Sequence, residues 1–208
     1  MNPAPGLFVV LEGPEGAGKS TLAAALVARY RAAGVEPVLV REPGGTPAAE
    51  ALRAELLDAH REWTAESELL YMVTARADLV ARVIRPALGA GRLVISDRFD
   101  LSTRAYQGAG RGVNPDYLEW ANRAATGGLE PDLTLVLDLP VVTGLARQVA
   151  AGKRQDRLDR EDEAFHRRVA EYYLAAEGPQ LHHLDAAVPP GELLQHTWEL
   201  IEAARNAP

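Results

Sequence analysis

The chain has 208 residues, 47% of them hydrophobic and 25% charged, which is enough apolar matter for one packed domain and excludes a wholly disordered chain. A net charge of −7 and a pI near 5.3 exclude a surface built to coat a polyanion, so no nucleic-acid partner is expected. The lack of cysteine excludes disulfides, thiolate metal sites and cysteine nucleophiles. The opening Met1–Gly6 lacks the basic and apolar segments of an export signal, and no run approaches about eighteen apolar residues, so no membrane contact and a cytoplasmic location are expected.

Leu7–Leu11 is an apolar run of strand length, and Thr21–Arg31 has helical period. Between them stands Gly13-Pro14-Glu15-Gly16-Ala17-Gly18-Lys19-Ser20. The glycines let successive N–H groups turn inward around phosphate oxygens. Lys19 can reach the terminal phosphates, the Ser20 hydroxyl can ligate Mg²⁺, and the positive end of the next helix adds to the anion site. Residues Gly13 to Thr21 are therefore the expected binding segment for a nucleoside triphosphate with Mg²⁺. The loop alone leaves open whether the triphosphate is hydrolysed, transferred or sensed.

Glu36–Val40 is the next strand, ending at Arg41-Glu42-Pro43-Gly44-Gly45-Thr46. Ala65–Leu88 has helical period and puts Met72 and Arg76 four apart, on one face. That pair is either core and surface, or an apolar platform with a guanidinium above it that suits a planar base. Arg92–Ser96 leads to Asp97-Arg98, Leu133–Leu137 leads to Asp138, and Leu181–Leu184 is a weaker fifth strand. Strands alternating with helices imply an α/β domain with a parallel sheet, and in such sheets ligands gather at the carboxyl ends of the strands.

The strand ends carry the chemistry. Asp97 stands where a carboxylate contacts Mg²⁺ or its waters. Arg98 and Arg41, from different strands, suit an acceptor that is itself phosphorylated; the plainer reading of Asp97 and Arg98 is a surface ion pair. The densely charged stretch 150–162 is either a solvated loop or a lid, whose Lys153, Arg154, Arg157 and Arg160 could cover the transferring phosphoryl group on closure.

With the phosphate loop, Arg41–Thr46 and Asp97-Arg98-Phe99-Asp100-Leu101-Ser102-Thr103-Arg104-Ala105-Tyr106-Gln107-Gly108 in this order, the chain resembles the bacterial thymidylate kinases over nearly its whole length. Pro131–Asp138, Asp156-Arg157, Phe165–Val169 and Leu184–Ala186 extend the match. The resemblance implies a single domain over 1–208 of the three-layer nucleoside-monophosphate-kinase fold, a five-stranded parallel sheet flanked by helices, with a short basic lid. It implies transfer of the ATP γ-phosphoryl group to dTMP, on a homodimer. By the same resemblance Glu15 meets the sugar 3′-hydroxyl, Arg41 and Arg98 hold the dTMP phosphate, and Tyr106 packs near the sugar. Arg76, Thr103 and Gln107 contact the thymine edge, while Lys19, Ser20 and Asp97 serve ATP and Mg²⁺. Arg157 is then the leading lid arginine and Arg154 the next. Gly16 stands where some relatives have a basic residue, Met72 where relatives usually have a thymine-stacking Phe, Phe99 in place of a His or Tyr, and Asp159 in place of a Glu. A deoxynucleoside kinase and a nucleotide-driven switch are the alternatives, and the two acceptor-side arginines argue against both.

Overall fold

Every position from Phe8 to Glu12 is buried, as a central parallel strand covered on both faces requires. In the computed structural model, which describes residues 6–152 and 155–206, this strand β1 (Leu7–Glu12) is joined by β2 (Val38–Arg41), β3 (Leu93–Asp97), β4 (Leu133–Asp138) and β5 (Leu181–Asp185). They form one parallel sheet in the order β2-β3-β1-β4-β5. The expected α/β architecture, helices on both faces of a parallel sheet, is thus the observed one.

Side chains alternate across the sheet, so β1 feeds two cores. Val9 and Leu11 face one layer, where Leu22, Leu26 and Tyr30 of α1 (Lys19–Ala32) and Leu193 and Ile201 of α9 (Pro190–Arg205) pack against them. Phe8 and Val10 face the other, with Val94, Phe99, Leu79 and Ile84. Each such side chain taken from water contributes about 1.5–3 kcal/mol. Truncating Leu26, which is fully buried in the first layer, would cost about 2–5 kcal/mol. Phe99, the departure from the usual His or Tyr, is wholly buried and meets Phe8 edge to face at 5.0 Å.

All five strands run one residue further than apolar patterning suggests, to Glu12, Arg41, Asp97, Asp138 and Asp185. The ladder needs backbone groups, not apolar side chains, and pairs Leu11 with Asp97 and Asp138 with Asp185. β2 begins at Val38, not Glu36, because Pro37 has no N–H to donate. The expected helix Ala65–Leu88 is also corrected. It runs as α3 (Ala65–Leu79), widens to a π-helical turn at Val80–Ile84, and continues as α4 (Arg85–Gly89). Pro86 removes one N–H from the ladder at that point, a recognised cause of such a widening.

The remaining helices are α2 (Pro47–Leu57), α5 (Asp100–Thr103), which passes into a π-helical segment Arg104–Gly110, α6 (Pro115–Thr126), α7 (Val141–Ala150) and α8 (Glu163–Leu174). Asp162 caps α8 by accepting from the Phe165 N–H at 2.7 Å.

Candidate functional site

The phosphate loop has the backbone that its glycines permit: Gly13, Gly16 and Gly18 have φ of +131°, +74° and +94°. A Cβ on Gly16 would lie 2.2 Å from the Gly144 carbonyl oxygen, so no basic residue fits there. Among the described residues no side chain caps α1 at Gly18, so its first N–H groups suit an anion. Lys19 folds back on the loop, donating to Gly13 O at 2.9 Å and Pro14 O at 2.8 Å. Burial, aided by the Arg98 charge, lowers its pKa to about 8.

Ser20 Oγ donates to Asp97 Oδ2 at 2.5 Å, which puts the two expected metal-side residues next to each other. A hydroxyl and a carboxylate are hard oxygen donors and fit Mg²⁺, which keeps waters and takes its other ligands from phosphates. Among the described residues there is no cluster of three or more His, Cys, Asp or Glu to form a metal cage, as such a shared site would not need one.

A cavity of about 750 Å³ opens from this loop and is large enough for more than one ligand group. Arg41, Arg53 and Arg98, from β2, α2 and the position after β3, all line it. Arg98 holds a left-handed φ of +77°, fixed by its N–H on Leu11 O and by Ser96 Oγ donating to its carbonyl at 2.6 Å. Its Nη1 donates to Gly13 O, Ser102 Oγ and Tyr173 OH, each at 3.1 Å, and its Nη2 to Glu15 Oε1 at 2.5 Å and Tyr106 OH at 3.0 Å. Beneath it Glu12, wholly buried, accepts from Phe99 N, Ser102 N, Ser102 Oγ and Tyr173 OH. Burial raises the Glu12 pKa although Arg98 and these donors oppose it.

Arg41 also lines the cavity, half exposed and paired with Glu50 at 2.9 Å. The third is Arg53 on α2, donating to Pro43 O at 2.8 Å, its pKa lowered by burial and by Arg41 and Arg98. Sequence reasoning missed Arg53 because it ends no strand. The only available signal was that the helix after the Pro-Gly-Gly turn must fold back over the sheet edge.

Met72 and Tyr106 reach the cavity wall, but Arg76, Thr103 and Gln107 do not line it. Arg76 is 1% exposed and donates through Nε to Glu42 at 2.7 Å, through Nη1 to Asn122 at 2.6 Å, and through Nη2 to Phe99 O at 3.0 Å and Thr103 Oγ1 at 2.9 Å. Burial pushes the Glu42 pKa up to about 7 against the pull of Arg76. Gln107, fully buried, donates its amide to Glu68 at 2.7 Å.

On the opposite side Leu22, Ala25, Val188, Pro190 and Leu193 form an apolar shelf beside Arg147, whose Nη1 donates to Ala186 O at 3.1 Å. Such a shelf suits a planar ring next to a guanidinium. Leu22, Ala25, Arg147, Val188, Pro190 and Leu193 were not singled out from sequence, because they come from α1, α7, the β5–α9 loop and α9 and share no motif.

The lid residues divide. Lys153 and Arg154 lie outside the described residues. Arg157 does not line the cavity. Its Nε donates to Leu56 O at 2.9 Å and its Nη2 to the buried carboxylate of Glu68 at 2.7 Å, which Arg111 also meets at 3.0 Å. The stretch 150–162 has as many acidic as basic side chains, so its expected basic character is not a net charge.

A family model described as Thymidylate kinase matches residues 11–196. A protein named Thymidylate kinase from Pseudomonas fluorescens Pf-5 is 52% identical over 97% of this chain and 99% of its own length. One of the same name from Thermomicrobium roseum is 47% identical over the same shares. A third, from Pseudomonas entomophila, is 52% identical over 88% of this chain and 89% of its own.

Proposed function

The chain belongs to the thymidylate kinase family, and from that premise we propose that it transfers the γ-phosphoryl group of ATP to dTMP, giving dTDP and ADP. The observation that carries the acceptor's chemistry is the meeting of Arg41, Arg53 and Arg98 in one cavity with the phosphate loop. A donor that presents polyphosphate needs the loop, and three further guanidinium groups suit a second phosphorylated molecule facing it.

Phosphoryl transfer asks for alignment and for positive charge where negative charge spreads. The loop amides from Gly13 to Thr21 and Lys19 bind the donor's phosphates. Arg98, whose fork is held on five oxygens in this structure, would exchange the Glu15 carboxylate for the acceptor's phosphate, with Arg41 and Arg53 beside it. Glu15 meets the sugar hydroxyl, Tyr106 packs against the sugar, and Met72 takes one face of the base; Arg76, Thr103 and Gln107, buried behind the cavity wall in this structure, would read the base edge only when the wall at Met72 opens. Ser20 and Asp97 would hold Mg²⁺, which when bound neutralises charge on the donor's phosphates. Arg154 and Arg157 close over the site; Arg157 does so only by leaving Glu68, which favours Arg154 as the residue that touches the transferring group.

The protein acts as a homodimer in the cytoplasm. Exposed Leu70 and Trp120 support a covered surface on α3 and α6, and among the described residues no helix is long and apolar enough to cross a membrane. Light scattering at micromolar concentration checks the dimer.

The decisive assay follows ADP and acceptor diphosphate with dTMP, dUMP, dCMP, dGMP and the thymine ribonucleotide, with and without Mg²⁺. Best turnover on dTMP, lost in Lys19→Met, is expected. ATP hydrolysis without acceptor phosphorylation would sink the proposal.

A further inference from the structure

Glu68, Met72 and Arg76 are four residues apart on α3 and share one face. They confront Thr103 and Gln107, also four apart: Arg76 donates to Thr103 Oγ1 at 2.9 Å, and Glu68 accepts from Gln107 Nε2 at 2.7 Å. Met72, between these two rungs, stands on the cavity wall. The two rungs therefore flank the point where Met72 reaches the cavity wall, and their own side chains lie behind that wall.

A carboxylate accepts only, so an amide against Glu68 must turn its NH₂ inward; the reverse would press two acceptors together at 2.7 Å. Hydrogen bonds from Gln107 and Arg111 and the Arg157 charge keep the Glu68 pKa below the usual range although burial opposes them, so the group is an anion at neutral pH. The other end of the amide, Gln107 Oε1, is buried and has no hydrogen-bond partner among the described residues. A buried acceptor left unpaired costs free energy, and a ring N–H arriving beside it would recover that cost.

We propose that Glu68 is the positioning residue that sets pyrimidine choice: by holding the Gln107 NH₂ it commits the amide oxygen to accepting, so a ring whose N3 carries a proton is taken and one whose N3 is a bare acceptor is refused. Thymine and uracil are of the first kind and cytosine of the second. The proposal rests on the reading that Gln107 meets the acceptor's base and adds what decides its polarity.

Glu68 also holds Arg157 and Arg111, so a general loss of activity on its replacement would not identify the role. The test is a ratio. kcat/KM for dTMP and dCMP is measured for the wild type, Glu68→Gln, Gln107→Met and the double variant. In Glu68→Gln the new side chain keeps its oxygen on the two arginines and offers NH₂ to Gln107, which must turn over. The dTMP:dCMP ratio is expected to fall at least about tenfold, mainly through the KM for dTMP. Gln107→Met is expected to lower the ratio as well, and in its background Glu68→Gln should change it less than about twofold, because no amide remains to orient.

If Gln107→Met lowers the ratio while a folded Glu68→Gln preserves it, Glu68 does not set the choice and the proposal is overturned. If Gln107→Met leaves the ratio unchanged, the underlying contact and the proposal both fall, whether or not Glu68→Gln folds. Failure of the wild type to phosphorylate dTMP would instead overturn the proposed function.

Discussion

Glu15 Oε1 lies 2.5 Å from Arg98 Nη2, so the guanidinium proposed for the acceptor's phosphate is turned toward a carboxylate of the phosphate loop itself. The same Arg98 touches Gly13 O, Ser102, Tyr173 and Tyr106, which ties the loop, α5 and α8 to one side chain. A lysine has one point charge and no fork, and cannot span these contacts. Arg98→Lys is expected to lower kcat/KM for dTMP at least about 100-fold and to lower Tm as well. Glu15→Gln, which keeps a hydrogen-bonding side chain, is expected to cost less than about tenfold. Steady-state kinetics and thermal melts of the two variants give the comparison; equal losses would show that the fork geometry is not what matters.

Lys19, with its pKa near 8, titrates close to working pH. Phosphate oxygens favour its charged form, so ATP should bind with uptake of part of a proton near pH 8.5 and more weakly as pH climbs from 7 to 9.5. Titration calorimetry in two buffers of different ionisation enthalpy measures that uptake, and its absence would refute the assignment. For stability the sign runs the other way. The unfolded lysine, at its ordinary 10.5, holds a proton that the folded one has lost, so this group makes the fold more stable as pH rises from about 8 to about 10.5. Lys19→Met should remove that slope.

Glu42 has its folded pKa raised from 4.5 to about 7, so between those values the native state binds a proton that the unfolded state releases. Its contribution is present below about pH 4.5 and is lost as pH rises through about 7, an effect on the order of 3 kcal/mol. Urea unfolding at pH 5 and pH 7.5 should show the wild type less stable at the higher pH than its surface charges alone would make it. Glu42→Gln should reduce the difference without abolishing it, since Glu12 is shifted in the same direction. An undiminished slope in the variant would mean Glu42 ionises normally.

Much of this was legible in the chain, for physical reasons. The glycine pattern at Gly13, Gly16 and Gly18 dictates the phosphate loop, and the polar residues after apolar runs, Glu12, Arg41 and Asp97, must fall at one sheet edge once the strands are parallel. Ser20 with Asp97 followed from that. Contacts carried by helix faces were not legible. Arg53 and Arg147 are single guanidinium groups on amphipathic helices, indistinguishable in sequence from surface charges until the helix is docked. The pairing of Arg157 with Glu68, 89 residues away, had no local signal either.

That pairing yields the last prediction. Arg157 is 11% exposed and Glu68 1%, and the bond joins the lid segment to the face of α3 that bears Met72. Removing one member of a buried pair costs about 3–5 kcal/mol when the other is stranded, but Glu68 keeps Arg111 and Gln107, so Arg157→Ala should cost nearer 1–3 kcal/mol. At about 2–4 °C per kcal/mol for a chain of this size, the melting temperature should fall by several degrees. Arg154→Ala, which removes the residue proposed to touch the transferring group, should lower kcat more than it weakens ATP binding. Calorimetric melts and single-turnover rates on both variants separate an anchor from a finger. A stable Arg157→Ala protein with the larger loss of kcat would reverse the two roles.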